Sequence, residues 1–375
     1  MSLYFDSIAP TKVKDQVLES MMPWLTSEYG NPSSKYQLGY HARHAVEEAR
    51  EVIADAIGAD PDEIFFTSGG SEANTWGCRG FIKGYDCISH GEALCTPIEH
   101  HSVLNALQGA EFLEVDKNGM VDYDALITKI KDSDYYILAT MMVNNEIGTI
   151  EPIEKIAPLC LHEGIYFHVD AVQAFGHIPF NVHKIKGITT LSLSGHKIGA
   201  PKGVGALYIK KSVQDYYRPL ICGGQQERGL RGGTENVASI VGFAEAAKLI
   251  DYEDDSIRNK AIYAWEFIRS NIPNAHLNGP SPMSESRVAN NLNVSFENIY
   301  GEELAEYLSQ YDICVSTGSA CNSDSDEPSH VLKAIGLSDD LANGSLRISF
   351  DHDTQLRDVN ILCQKIADGV QLLRG

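Results

Sequence analysis

Three apolar segments of the chain each lead into polar residues, and this repeated pattern most strongly limits the folds that the chain can adopt. Residues 135–143 are apolar almost throughout and run into Asn144, residues 165–169 end at Asp170, and residues 190–197 end in a lysine. Apolar runs of this length predict buried strands of the kind found in the middle of a parallel sheet. Ligands of open α/β sheets bind at the carboxyl ends of the strands. The sequence therefore predicts an α/β fold with a polar site at one edge of its sheet.

The order of the predicted elements indicates two domains. Helical spacing starts near residue 15, and strands and helices then alternate, so we assign residues 15–258 to a large domain with a mostly parallel sheet flanked by helices. Residues 259–375 contain a second set of strands and helices, and with residues 1–14 they are predicted to form a smaller α+β domain. A polar segment at about residues 316–330 is predicted to be a mobile loop of the small domain.

Composition and charge exclude several classes of protein. The 375 residues carry a formal net charge of −21, and 43% of them are hydrophobic. Such an acidic chain is predicted not to bind nucleic acid. No apolar run is long enough to span a bilayer, and the N-terminus lacks the basic and apolar regions of a signal peptide. We therefore expect a cytoplasmic protein that does not associate with a membrane.

The eight cysteines are scattered and form no C-x-x-C pair. This spacing predicts neither a disulfide framework nor a structural zinc site, and we expect no metal and mostly buried thiols. Cys321 differs, because its neighbours in residues 318–323 are all small or polar. A thiol on an exposed and flexible loop can act as a nucleophile. A surface cysteine without a function is the alternative interpretation.

Candidate binding groups follow several of the predicted strands. The glycine turn in residues 67–74 precedes a helix, and such a turn allows close approach of an anion such as phosphate; a serine-capped helix start is the alternative. Lys197 can form an imine, although most lysines at strand ends are solvated. Together with Asp170 and His100, these groups match the requirements of pyridoxal phosphate. The cofactor needs a lysine for the imine, a carboxylate for the ring nitrogen, helix amides for the phosphate and an aromatic group against the ring.

Seven motifs in order along the chain carry a resemblance to a known family. They are FTSGGSEAN (66–74), EHHSV (99–103), VNNEIGT (143–149), HVDAVQ (168–173), SGHKIGAPKGVGALY (194–208), RGLRGGTENV (228–237) and STGSACNS (316–323). With these motifs the chain resembles the cysteine desulfurases of the NifS/IscS type, within the class V aminotransferase group, from residue 6 to about residue 350. The resemblance implies the fold type I architecture of pyridoxal-phosphate-dependent transferases.

The resemblance also implies roles for individual residues. Lys197 would form the imine and remove the α-proton of the substrate, His100 would assist proton transfer, and Cys321 would accept the sulfur as a persulfide. Arg347 and Asn145 would bind the substrate, Arg347 through its carboxylate. Thr234 would reach the phosphate of the neighbouring subunit in a homodimer. The implied cofactor-binding residues are Gly70, Ser71, His100, Asn145, Asp170, Gln173, Ser194, His196, Lys197 and Thr234.

The implied reaction removes sulfur from L-cysteine, leaves L-alanine and passes the persulfide to a sulfur-acceptor protein, such as an iron–sulfur scaffold or a thiolation enzyme. Another class V enzyme, a selenocysteine lyase or an aminotransferase, is the alternative, and an aminotransferase would not need Cys321. A catalytically inactive relative that acts as a binding partner is a further alternative, against which the intact Lys197, Asp170, His100 and Cys321 argue. A dinucleotide-dependent dehydrogenase is excluded, because no G-x-G-x-x-G motif follows an early strand.

Overall fold

The computed structural model describes residues 2–81, 93–317 and 327–375. Within these ranges, the strands are β1 (Leu3–Tyr4), β2 (Ile64–Thr67), β3 (Ala93–Cys95), β4 (Glu111–Phe112), β5 (Ile137–Met141), β6 (Tyr166–Asp170), β7 (Ile188–Ser194), β8 (Gly205–Ile209), β9 (Ala275–Leu277), β10 (Asn291–Phe296), β11 (Ile313–Cys314) and β12 (Ser345–Ser349). The α-helices are α1 (Asp15–Thr26), α2 (Gln37–Ile57), α3 (Gly70–Arg79), α4 (His101–Leu104), α5 (Tyr123–Asp132), α6 (Ile153–Glu163), α7 (Val237–Lys248), α8 (Ser256–Asn271), α9 (Gly301–Ser309), α10 (His330–Ala334), α11 (Asp339–Asn343) and α12 (Leu356–Arg374). None of these helices is both long and apolar enough to cross a membrane.

A seven-stranded sheet positions the polar strand ends that the sequence predicted. Its order is β2-β8-β7-β6-β5-β3-β4, and the neighbours from β7 to β4 run parallel. β8 runs antiparallel to both of its neighbours, β2 and β7. β5, β7 and β8 are buried along their whole length, and α3 packs against β6, β7 and β8. The predicted α/β fold with a mostly parallel sheet is therefore confirmed.

A second, antiparallel sheet has the order β12-β10-β9, and a short parallel pair joins β1 to β11. Helices α8, α9 and α12 pack around the antiparallel sheet, and their apolar side chains share one core cluster with β10 and β12. Phe5 lies in the same cluster, although it precedes that sheet by more than 260 residues. The domain boundaries at residues 14/15 and 258/259 stay a prediction.

Two segments test the sequence-based boundaries. The sequence of residues 4–11 predicts a short strand that breaks at Pro10. The strand is shorter than this, because β1 ends at Tyr4 and the backbone then turns, with the N–H of Ala9 bonded to the carbonyl of Asp6 at 2.9 Å. Pro10 has no N–H to donate to a ladder. The sequence of residues 237–265 predicts a long helical stretch with a charged interruption near Asp251, and the structure divides it there into α7 and α8.

The described cysteines are free. Cys78, Cys95, Cys160 and Cys363 are buried, as expected for small apolar side chains, whereas Cys222 is exposed and Cys314 is half-buried. Cys87 and Cys321 lie outside the described residues.

Candidate active site

A cavity of about 420 Å³ lies at the carboxyl ends of the parallel strands. Met141, Asp170 and Ser194, which end β5, β6 and β7, all line it. The cavity brings together most of the residues singled out in the sequence. The predicted site residues that line it are Gly70, Ser71, His100, Asn145, Asp170, Gln173, Ser194, His196, Lys197 and Arg347.

Two predicted site residues are not part of this lining. Thr234 is exposed on the loop before α7 and does not border the cavity. Cys321 lies outside the described residues. A larger cavity of about 490 Å³ also borders Lys197, but it contains neither Asp170 nor His100 in its lining. The smaller cavity is therefore the candidate site, because residues of the sequence motifs line it.

Lys197 is held where β7 gives way to a short 3₁₀ turn. Its Nζ donates hydrogen bonds to the carbonyl oxygens of Ile8 and Ala9, at 2.6 and 2.7 Å. The N-terminal segment is itself tied to this turn, because the hydroxyl of Thr11 donates to the carbonyl of His196 at 2.8 Å. The amine is thus fixed at the cavity wall by backbone that lies almost 190 residues earlier in the chain.

Asp170 ends β6 and is almost fully buried, with 5% of its surface exposed. Its Oδ2 accepts a hydrogen bond from Nδ2 of Asn74 at 2.6 Å, and its Oδ1 accepts from the backbone N–H of Val172 at 2.9 Å. A buried carboxylate requires such donors, since burial without partners is costly. The two donors fix the direction in which the carboxylate meets the cavity.

The glycine turn before α3 is built for close approach to its backbone. Gly69 has a positive φ of 150°, which favours glycine, and a Cβ at this position would meet only open space within 4 Å. A Cβ on Gly70 would lie 2.7 Å from Cγ2 of Val172. The first N–H groups of a ten-residue helix have no partners within the helix, and its dipole favours an anion there. The turn can therefore hold an anionic group against Ser71.

The two histidines of the cavity have lowered pKa values. Burial lowers the pKa of His100, and Lys197 lowers it further, while Asp170 acts in the opposite direction. The ring Nδ1 of His100 lies 2.7 Å from the hydroxyl of Ser102 and accepts from its backbone N–H at 3.1 Å. Burial, with the nearby positive charge of Lys197, lowers the pKa of His196 to about 4. Both rings are therefore neutral near pH 7.

Arg347 approaches the cavity from β12. Its Nη2 donates to Oδ1 of Asp6 at 3.0 Å, and its Nη1 donates to the carbonyl of Asn145 at 3.2 Å. Its Nε is buried and has no hydrogen-bond partner among the described residues. Gln173 also lines the cavity, and its Nε2 donates to the carbonyl of Ile8 at 3.1 Å. A guanidinium with a spare buried donor is suited to a carboxylate ligand.

Residues beyond those assigned from the sequence complete the site. Asn74, Ser102 and Asp6 line the cavity and bond to Asp170, His100 and Arg347, respectively. Asn74 could have been assigned to the site from the sequence. It lies four positions after Gly70, so helical periodicity places both residues on the face of α3 that meets the sheet.

Comparison with known proteins agrees with this geometry. The sequence model of the family described as aminotransferase class-V matches residues 3–362. The cysteine desulfurase IscS of Methanosarcina thermophila is 44% identical, over 100% of this chain and 93% of the relative. A solved NifS-like protein superimposes with a TM-score of 0.86 at 35% identity, over 99% of this chain and 100% of that one. A structure titled SspA in complex with cysteine gives a TM-score of 0.81 at 35% identity, over 93% and 99% of the two chains. The chain therefore belongs to the class V aminotransferase family and, within it, to the cysteine desulfurases of the NifS/IscS type.

Proposed function

We propose that this chain is a pyridoxal-phosphate-dependent cysteine desulfurase that converts L-cysteine to L-alanine and carries the sulfur on Cys321. The observation that carries the proposal is a single cavity that joins Lys197, Asp170 and His100 to an arginine with a spare donor, Arg347. The alternative class V activities share the cofactor groups but do not all require Cys321. The named activity of the M. thermophila relative supports the same choice.

The residues around the cavity fit pyridoxal phosphate. The turn at Gly69 and Gly70 leaves its backbone open for a phosphate, and Ser71 lies in the first turn of α3, whose N-terminus favours an anion. Asp170 is buried, and its carboxylate would meet the ring nitrogen, while the amine of Lys197 would bind the aldehyde carbon. When bound, the cofactor supplies an electron sink for negative charge at the α-carbon of the substrate. The other residues that would hold it are His100, Asn145, Gln173, Ser194 and His196.

Other side chains of the cavity would bind the substrate and transfer protons. Arg347 would bind the carboxylate of L-cysteine in place of Asp6, and its unpaired Nε offers one of the two parallel donors that a carboxylate accepts. Asn145 lines the cavity beside it and would contact the same substrate. Nζ of Lys197, once neutral, is the group placed to take the α-proton. The neutral imidazole of His100 can accept a proton or return one.

The sulfur step is assigned to Cys321 through the family motif, since this residue lies outside the described ranges. The thiolate of Cys321 would form an S–S bond with the substrate sulfur while the C–S bond of the substrate breaks. The electron pair of the broken bond stays with the carbon, which gains a proton and leaves as alanine. The resulting persulfide would then pass its outer sulfur to a thiol of an acceptor protein.

The active unit in this proposal is a homodimer. Thr234 is exposed and lies away from the cavity of its own chain. In the family motif this residue contacts the phosphate held by the neighbouring subunit. We therefore expect Thr234 of one chain to complete the anion site of the other.

The test is a product assay on the cofactor-loaded protein with L-cysteine and a reductant. We expect alanine and sulfide in equal amounts, and less than about 1% of that rate for Lys197→Ala and for Cys321→Ala. Cys222→Ala is the matched control, because this thiol is exposed but has no proposed role, and it should keep full activity. Equal activity of wild type and Cys321→Ala would overturn the sulfur-carrier role.

The same assay separates the alternatives. Turnover of selenocysteine that is unaffected by Cys321→Ala, without turnover of cysteine, would identify a selenocysteine lyase. Transfer of the amino group to an added keto acid, without sulfide, would identify an aminotransferase.

A further inference from the structure

A continuous chain of hydrogen bonds connects Asp170 to His100 beneath the cavity. Nδ2 of Asn74 donates to Oδ2 of Asp170 at 2.6 Å and to Oγ of Ser102 at 2.9 Å. Oγ of Ser102 lies 2.7 Å from Nδ1 of His100. On its other side, Oδ1 of Asn74 lies 3.1 Å from Nε2 of His168. The amide of Asn74 thus bonds directly to Asp170 and to the buried His168, and it is connected to His100 through Ser102.

The carboxylate of Asp170 determines which atom donates and which accepts in each hydrogen bond of this chain. The carboxylate of Asp170 only accepts, so the amino group of Asn74 must face it and the amide oxygen must face His168. Nε2 of His168 therefore donates. Burial lowers the pKa of His168 to about 3, so its neutral ring carries a single N–H, and Nδ1 must accept from the hydroxyl of Thr190 at 2.9 Å. The buried ring has one allowed tautomer.

The same logic extends to His100. The amide of Asn74 donates to Oγ of Ser102, so the hydroxyl of Ser102 is free to donate to Nδ1 of His100. The backbone N–H of Ser102 donates to the same nitrogen at 3.1 Å. With donors directed at Nδ1, the neutral ring of His100 must carry its proton on Nε2. Bonds to the neutral form also oppose protonation of the ring.

We propose that Asn74, Ser102 and His168 are positioning residues that hold the carboxylate of Asp170 and the tautomer of His100 as the proposed desulfurase reaction requires. His168 acts by fixing the amide of Asn74. Without His168, the buried Oδ1 of Asn74 would lose its donor, and only the two bonds of Nδ2 would hold the amide against Asp170 and Ser102. The inference rests on the proposed function, because that reaction assigns roles to Asp170 and His100.

Gly77, which has no side chain, leaves the room that the ring of His168 occupies. A Cβ on Gly77 of α3 would lie 2.4 Å from Cε1 and Nδ1 of His168. No side chain larger than a hydrogen fits there without moving the ring. The absence of a side chain at Gly77 lets α3 lie close enough to β6 for Asn74 to reach both His168 and Asp170.

The test is ¹⁵N NMR of the histidine rings in the cofactor-free protein, which reads tautomers and titrations without any turnover. We expect wild-type His100 to carry its proton on Nε2, and His168 to do the same and not to titrate above pH 5. In Ser102→Ala, the pKa of His100 should rise by about 0.5 to 1, because the hydroxyl donor to its neutral form is lost. In Asn74→Leu the pKa should rise by a smaller amount, because the hydroxyl of Ser102 is still present but is no longer held by the amide. The other charged or titratable groups that interact with His100, namely Asp170, Lys197, His101 and His330, are unchanged in both variants.

Two further variants separate positioning from general damage. His168→Gln keeps an amide donor for Asn74 and should leave the His100 signals like those of wild type, whereas His168→Leu should shift them as Asn74→Leu does. Asn278→Leu is the matched control, since it removes another buried amide, whose Nδ2 bonds to Asn293 and Ser295 of β10 and not to the groups around His100. It should reduce stability without changing the His100 signals.

The outcomes are distinguishable from those of the proposed function. A His100 ring that carries its proton on Nδ1, or His100 signals unchanged in Asn74→Leu and Ser102→Ala, would overturn the positioning role even if the protein turns over cysteine. The expected NMR shifts together with no activity on cysteine would support the network and contradict the desulfurase assignment. In an active protein, His168→Leu should lower kcat about tenfold with KM for cysteine changed less than about threefold, since one neutral hydrogen bond is lost.

Discussion

The two walls of the cavity differ in how completely their polar groups are paired. On the sheet wall (Asn74, His100 and Asp170), both carboxylate oxygens of Asp170 accept hydrogen bonds, and the amide of Asn74 is bonded at both ends. On the β12 wall (Asp6 and Arg347), the guanidinium bonds to Asp6 but keeps a buried Nε without a partner among the described residues. A fully paired wall suits a group that stays bound, whereas a spare donor suits a ligand that enters and leaves.

The largest expected effect comes from breaking the sheet wall at its charge. Asp170→Asn keeps the shape of the side chain but removes the negative charge at the end of β6. We expect kcat/KM for L-cysteine to fall about 10²- to 10³-fold, the usual cost of losing one pre-organised electrostatic group. The measurement is alanine production, with urea unfolding as the control for stability. A loss smaller than about tenfold would show that the wall does not act through this charge.

Glu99 directly precedes His100 in the chain and is a buried carboxyl group with one unpaired oxygen. It therefore allows the effect of incomplete hydrogen bonding on stability to be measured. Its Oε1 accepts from Thr96 and from the backbone of Met141, but its Oε2 is without a hydrogen-bond partner within the described ranges, and burial raises its pKa to about 8. The native state therefore keeps a proton that the unfolded state loses near pH 4.5, so stability falls as pH rises from about 4.5 to about 8.

Glu99→Gln should remove this pH dependence, because an amide imitates the protonated acid. At pH 9 we expect the variant to be more stable than wild type by on the order of 3 kcal/mol, and at pH 4 the two should be similar. Urea unfolding at both pH values checks this. Glu151, whose pKa burial also raises to about 8, is retained in both proteins, but Glu99 contributes to that rise, so the contribution of Glu151 cancels only in part. Parallel stability curves across this pH range would contradict the buried proton.

On the β12 wall, Arg347→Lys keeps the charge and removes the planar set of donors. We expect kcat/KM to fall about 10- to 100-fold, mainly through a higher KM, because a lysine cannot bind a carboxylate in two parallel bonds. The visible spectrum of the bound cofactor should not change, and it serves as the control for the sheet wall. An altered spectrum with an unaltered KM would assign Arg347 to the cofactor instead.

The smallest expected effect comes from the acid that occupies the arginine. In Asp6→Asn, the guanidinium no longer has to leave a carboxylate 3.0 Å away before it binds the substrate. We expect KM for L-cysteine to fall about threefold, a modest change because the pair is partly exposed. Steady-state kinetics at constant ionic strength would detect it. A rise in KM would indicate that Asp6 orients Arg347 and does not compete with the substrate.

The parts of the site that the sequence predicted are those whose position follows from their own strand. Asp170 ends β6, and Lys197 follows β7 directly. Because parallel strands end at the same edge of a sheet, an apolar run followed by a polar residue is enough to place that residue near the ligand. The glycine turn before α3 was recognisable for the same reason.

The N-terminal segment shows where local pattern was insufficient. Residues 4–11 are predicted to form a short strand that breaks at Pro10, but the strand there consists only of Leu3 and Tyr4. The following backbone bonds to the side chain of Lys197 and to the turn after β7. Contacts with residues far along the chain, and not local propensity, decided this conformation.

The sequence by itself determined the α/β class, the succession along the chain of the strands that end in polar residues, and the candidates Lys197, Asp170 and His100. Each of these depends on a short-range pattern. Only the tertiary structure decided the pairs that join distant segments. Asn74 meets Asp170 across 96 positions, and Asp6 meets Arg347 across 341. Such pairs depend on the packing of α3 on the sheet and of the N-terminal segment beside β12, and no periodicity within either segment encodes its partner.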